Sequence, residues 1–157
     1  MNNQNPCYAF TIKHNAIARK LCTKVDVTNQ SKVVKGIALW DTGATGSCIS
    51  EQMVKDLGLI PTGKQKIFTP SGDKIVNTYI VDIVLPNRVA VKGVHVCDSD
   101  IGSQGLDMLI GMDIITLGDF TITNFNGKTI FTFRMPSQKA VDYVMQSAVK
   151  GSHQKKK

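Results

Sequence analysis

The chain has 157 residues, 42% of them hydrophobic, which suits one compact domain with a real core. No stretch approaches the ~20 consecutive apolar residues of a membrane-spanning helix, and the start, Met1-Asn2-Asn3-Gln4-Asn5-Pro6, lacks the basic and apolar regions of a secretory signal. The net charge of +7 is uneven, because the segment after Ser137 holds five lysines and one acid, and Lys155-Lys156-Lys157 reads as a solvated terminus.

A soluble, cytoplasmic protein is expected, with no membrane partner; nucleic acid is disfavoured because no aromatic-basic pattern supports the lysine tail. The cysteines Cys7, Cys22, Cys48 and Cys97 form no CxxC pair, and no histidine stands at ligand spacing from them. This argues against zinc and for reduced thiols, three of them (Cys22, Cys48 and Cys97) in apolar, strand-like surroundings. No metal and no cofactor is expected.

Residues 8–13 and 19–27 read as strands around a polar turn at His14-Asn15; in the second, Leu21, Thr23, Val25 and Val27 alternate with polar neighbours. Residues 33–40 form a largely apolar strand that runs into Asp41-Thr42-Gly43-Ala44-Thr45, where Gly43 and Gly46 allow tight backbone paths. Ser50 is placed to cap a short helix that carries Met53, Val54 and Leu57 on one face and stops at Gly58 and Pro61. Strands over 64–69 and 74–85 flank the turn Pro70-Ser71-Gly72-Asp73, and another covers 89–97. A polar stretch over 98–105 leads to Met108-Leu109-Ile110-Gly111 and a short helix over 112–117. Residues 120–125 and 128–133 flank Asn126-Gly127, the preferred type I′ pair. Beyond Pro136 the spacing of Ala140, Val141, Val144, Met145 and Ala148 predicts a helix with Ser137 as its cap, whose stripe docks on its own domain or on a partner subunit. The chain thus divides into a mainly β, barrel-like domain over 1–136 and a helix with a lysine-rich tail over 137–157.

Asp41 is the residue that calls for chemistry. A carboxylate delivered at the end of the apolar run Ile37-Ala38-Leu39-Trp40 is costly unless it is compensated or used. Alone, Asp-Thr-Gly could be a turn with an acid capping backbone N–H groups. The second element, Leu109-Ile110-Gly111, two apolar residues and a glycine between a strand and a helix, raises the functional reading.

With both elements and the intervening hairpin in this order, residues 25–133 resemble the retropepsin-type aspartic proteases, and Met108-Leu109-Ile110-Gly111-Met112-Asp113 resembles their cellular and bacterial branch more than the viral one. The resemblance implies an all-β, closed acid-protease barrel with short helices after Gly111 and at the C-terminus. It implies that Asp41 is the catalytic aspartate, that Thr42 locks two active-site loops together and that Gly43 lets substrate backbone approach. Ser71, Gly72 and Asp73 would form the flap; Leu39, Ala44, Thr45, Ile75 and Leu109 would contact substrate. Viral members carry an Asp–Arg ion pair where this chain has Thr45 and Met112, so Thr45 and Asp113 are the residues left to support the loop.

The chemistry needs two carboxylates that share a proton, and the sequence holds one Asp-Thr-Gly and no Asp-Ser-Gly. A homodimer with Asp41 near a twofold axis supplies the second. The leading reading is a homodimeric aspartic endopeptidase that acts on peptide or protein substrates. The alternative is a non-catalytic dimer of the same fold that binds peptides or serves as a scaffold.

Overall fold

The computed structural model describes residues 6–30, 32–69 and 72–152. The described residues form ten strands and three α-helices. They are β1 (Tyr8–Lys13), β2 (Cys22–Asn29), β3 (Lys32–Trp40), β4 (Cys48–Ser50), α1 (Glu51–Leu57), β5 (Gly63–Thr69), β6 (Gly72–Val84), β7 (Ala90–Ser99), β8 (Met108–Ile110), α2 (Met112–Ile115), β9 (Asp119–Thr123), β10 (Ile130–Met135) and α3 (Tyr143–Ser152).

The larger sheet runs β2-β3-β8-β4-β7-β6-β5, and a further pairing of β2 with β6 closes its first six strands into a barrel. Closure pairs β2 and β6, which would otherwise leave β2 as an exposed edge, and β5 remains the terminal strand. The pairs β3–β8 and β4–β7 are parallel, whereas the other pairs are antiparallel. Strand β5 pairs only with β6, so the β5–β6 hairpin projects from the barrel.

Alternation selects the core. Thr23, Val25 and Val27 of β2 and Tyr79, Val81 and Ile83 of β6 point inward and are buried. The second sheet, β1-β10-β9, covers one end of this core with aromatic rings. Trp40 lies 4.8–5.9 Å, centroid to centroid, from Phe10, Phe120, Phe131 and Phe133, and its indole N–H donates to Thr23 Oγ1 at 2.9 Å. Both the rings and the buried polar tip of Trp40 are therefore satisfied, directly below the residue that follows it, Asp41.

The local signals behave as read at α1. Ser50 accepts from the Met53 N–H at 3.1 Å, and Gly58 closes the helix at φ 65°. Three expectations are corrected. Strand β6 begins at Gly72, so Gly72 and Asp73 belong to a strand, and only Pro70 and Ser71, which lie outside the described residues, separate the two arms. Asn126 and Gly127 both adopt positive φ, as the type I′ pair requires, but pairing starts at Thr123↔Ile130, and a wider loop links the strands. Helix α3 begins at Tyr143 and is capped by Asp142, whose Oδ1 accepts from the Val144 and Met145 N–H groups. The described apolar members of the stripe, Val141, Val144 and Met145, are exposed and do not dock on their own barrel.

Ser137, expected as that cap, serves the second sheet instead. Asp119 accepts from Ser137 Oγ at 2.5 Å, from the Gln138 N–H at 2.9 Å and from Arg134 Nε at 2.9 Å. These donors, Ser137 first, hold the Asp119 carboxyl well below the usual carboxylate range. A depressed folded-state pKa stabilises the protein fully above the unfolded carboxyl value of ~4, and this contribution fades as pH falls through the folded value. Asp119→Asn is accordingly expected to lower the thermal midpoint more at pH ~7 than at pH ~2, as read by circular dichroism at both.

Candidate active site

Two strands of the barrel end side by side. The parallel register Ala38↔Met108, Leu39↔Leu109, Trp40↔Ile110 brings the last residue of β3 next to the last residue of β8. The chain beyond each strand then turns, giving an acid-bearing loop, residues 41–46, against a glycine-bearing loop at Gly111.

Backbone bonds lace the two loops. The Asp41 N–H donates to the Ile110 carbonyl at 2.9 Å, the Met112 N–H to the Ala44 carbonyl at 2.8 Å and the Asp113 N–H to the Thr45 carbonyl at 3.2 Å. The contact is so close that a Cβ on Gly111 would stand 2.7 Å from the Gly46 carbonyl group and 2.9 Å from the Ala44 oxygen. Gly111 is thus required by close backbone approach. Gly46 was expected to be needed for its own path, and this is corrected: a Cβ there meets nothing within 4 Å and its φ is not positive. The crowding that it takes part in is imposed at Gly111.

Asp41 is half-buried, and its Oδ1 accepts the Gly43 N–H at 2.8 Å. This charge-assisted bond fixes the carboxylate plane. A Cβ on Gly43 would stand 3.2 Å from the same oxygen, tight enough to disturb it. The Thr42 side chain is exposed, with no hydrogen-bond partner among the described residues. Ala44 is half-buried and Thr45 exposed, each bonded across the loops through its carbonyl.

The loop is held from below by a clamp built on Asp113. Its Oδ2 accepts the Ser47 N–H at 3.0 Å and its Oδ1 accepts Ser47 Oγ–H at 2.8 Å, while Ser47 Oγ accepts the Gly111 N–H at 3.0 Å. Ser47 is buried, so each of these groups would be left without water if its partner were lost. Asp113 fills the supporting role that the absent Asp–Arg pair leaves open. Ser47 was not singled out from sequence; a serine six residues past the acid carries no signal until the fold sets it against Gly111.

Leu39 and Leu109 face each other across β3–β8, half-buried against the small apolar cluster of Cys48, Ile101 and Leu106. On the hairpin, Gly72, Asp73 and Ile75 are all exposed. Side chains two apart share a strand face, so Ile75 lies on the same face of β6 as Asn77 and Tyr79, which is the face that continues into the barrel interior. Register adds two residues that the sequence reading left unnamed. Lys66 lies opposite Ile75 and Phe68 opposite Asp73; Lys66 Nζ pairs with Asp73 Oδ2 at 2.6 Å and stands 5.4 Å from the Phe68 ring centroid. Ile75 and Phe68 are 71% and 80% exposed, so the hairpin offers apolar surface with no partner of its own. At its base Asp98 accepts from the Asn77 N–H, from Asn77 Nδ2 and from the Tyr79 hydroxyl, tying the hairpin to β7. Burial, and then the Asp98 carboxylate beside it, push the Tyr79 phenol up, so it stays a donor.

A closed barrel that laces an acid-bearing loop to a glycine-bearing loop, with a hairpin projecting from it, is by fold a retropepsin-like aspartic protease. The family of gag-polyprotein putative aspartyl proteases matches residues 16–116, and the chain belongs to that family. The crystal structure of a retropepsin-like aspartic protease from Rickettsia conorii is similar over 83% of this chain and 96% of its own, at 19% identity and a TM-score of 0.55. The solution structure of Simian Foamy Virus (mac) protease is similar over 58% of this chain and 89% of its own, at 23% identity and a TM-score of 0.41. No curated protein matches the chain. Among the described residues no helix is long and apolar enough to cross a membrane, and no group of three or more acidic, histidine or cysteine side chains is placed to hold a metal ion.

Proposed function

We propose that the chain is an aspartic endopeptidase that works as a twofold homodimer. The observation that carries this reading is a half-site. One Asp-Thr-Gly occurs in the sequence, and its carboxylate is held in a fixed plane at the end of a barrel strand by Gly43. Asp41 of each protomer would meet its mate near the dyad. Like charges at such separation cannot both ionise, so the pair would hold one proton between them. The ionised member would take a proton from water as that water attacks the scissile carbonyl, and the protonated member would donate to the carbonyl oxygen. The exposed Thr42 hydroxyl is free to bond across the dyad and lock the two loops.

Substrate would lie extended between the loops and the hairpin, pairing its backbone with strand edges. Gly43 would admit its backbone, and Ala44, Thr45, Leu39 and Leu109 would border the floor. Ser71, Gly72, Asp73 and Ile75, with Phe68 and Lys66 added by register, would form the flap. The exposed apolar side chains on the hairpin favour substrates with apolar residues near the cleaved bond. A cytoplasmic setting belongs to the same reading and is supported by four free thiols. The Ser47–Asp113 clamp supplies loop support where the chain lacks an Asp–Arg ion pair, and this favours the catalytic reading over a non-catalytic scaffold.

Dilution tests the dimer requirement. Activity per chain on a fluorogenic peptide library is expected to fall as the concentration drops through the dimer dissociation constant, with sedimentation showing the matching loss of dimer. Constant activity per chain in samples that sediment as monomers would contradict it.

A further inference from the structure

Three of the four cysteines gather in one place. Cys48 belongs to the small core cluster with Ile101 and Leu106, and Cys22 and Cys97 pack against it. Two of them are matched more closely. Cys48 and Cys97 lie directly opposite each other in the parallel β4–β7 pair, and both pack in the same small apolar cluster. Neither is engaged in a disulfide, Cys48 is buried, and Cys97 is half-buried and so reachable from solvent. Cys22 lies on β2, opposite Leu39 rather than either of them, and burial pushes its thiol up.

We propose that Cys48 and Cys97 are a peroxide-oxidisable pair that closes to a disulfide beside the active-site loop. The two partners have distinct roles. Cys97 is half-buried and open to peroxide whereas Cys48 is buried, and the neighbouring Cys48 thiol lowers the Cys97 thiol below its ordinary pKa while Cys48 is pushed up by Cys97 and by burial. Cys97 is therefore the thiolate that reacts first. Its sulfur attacks one oxygen of hydrogen peroxide, the O–O bond breaks, and the departing hydroxide takes a proton to become water. Cys97 is left as the sulfenic acid. Cys48 Sγ then attacks Cys97 Sγ, the S–O bond breaks, and the leaving hydroxide departs as water with the Cys48 proton. The two sulfurs together lose two electrons and the peroxide gains them.

The bond would act on the neighbouring loop. Adjacent strands lie ~4.8 Å apart, within the ~4.4–6.8 Å between Cα atoms that a disulfide spans. Closure therefore needs no displacement of the strands and ties β4 covalently to β7 at Cys48, the residue after Ser47, whose N–H and hydroxyl bond to Asp113. The oxidation itself does not depend on the peptidase reading, and it is detected chemically.

The test uses the full chain carrying Cys7→Ser, which removes the exposed thiol that would link molecules to one another. The protein is treated with graded hydrogen peroxide, alkylated, and mapped by mass spectrometry. Cys48 and Cys97 are expected to lose alkylation together, with their peptides joined and the link reversed by dithiothreitol. Addition of Cys22→Ser is expected to leave the link intact, and Cys97→Ser to abolish it. The proposal is overturned if both thiols stay alkylatable at doses that oxidise free cysteine. It is equally overturned if Cys97 passes to sulfinic acid with Cys48 still free, or if the link found includes Cys22. The map of the Cys7→Ser chain decides between these outcomes even if a further variant does not fold.

Discussion

Replacing Asp41 with Asn is expected to lower peptide hydrolysis by about 10³-fold or more while the barrel stays folded. The magnitude follows from what general acid–base groups contribute, ~10²–10⁴, and in a homodimer one substitution removes both members of the pair. Stability should change little, because the asparagine Oδ1 can still accept the Gly43 N–H that Asp41 accepts at 2.8 Å. The change in kcat on a cleavable peptide, together with a thermal midpoint within a few degrees of the parent, checks both halves. Undiminished turnover would remove Asp41 from the chemistry.

Gly111→Ala is expected to have the largest effect on stability of any single methyl group added near the site. The added carbon would stand 2.7 Å from the Gly46 carbonyl group and 2.9 Å from the Ala44 oxygen, all of it backbone. Relief requires the two loops to part. That would strain the Met112–Ala44 bond and the bond from the Gly111 N–H to buried Ser47 Oγ. Overpacking of this kind costs about 3 kcal/mol or more when backbone is the obstacle. Urea unfolding of the variant measures it, and Gly46→Ala, whose Cβ would meet nothing within 4 Å, is the matched control expected to lie within about 0.5 kcal/mol of the parent. Equal midpoints for Gly111→Ala and the parent would show that the loops are less tightly laced than the distances state.

Much of this frame is legible in the sequence, for identifiable reasons. Thr23, Val25 and Val27 alternate with polar residues, and that period alone puts them inside. Ser50 and Gly58 bracket α1 because capping chemistry is local. Asp41 and Gly111 could be paired because the strand–turn order around each is itself a pattern.

Long-range features were less legible. Ser47 acquires meaning only when the β3–β8 register sets Gly111 beside it. Phe68 and Lys66 emerge as neighbours of Asp73 and Ile75 only once the register of the hairpin is fixed, because a shift of one residue would place them on the opposite face. Ser137 looked like a helix cap because serine caps are common, yet Asp119, distant in sequence, offers it a charged acceptor. The match of Cys48 with Cys97 belongs to the same class, since strands that are not neighbours in the chain bring them together.

The mixed dimer tests the shared site most directly. Chains carrying Asp41→Asn are titrated into a fixed amount of the parent chain, with subunit exchange allowed to finish before activity is read. If each site draws one carboxylate from each subunit, the inactive chain captures active partners, and activity is expected to fall toward zero as its excess grows. Activity that stays constant at every ratio, with mixed dimers shown to be present, would contradict a catalytic centre divided between two chains.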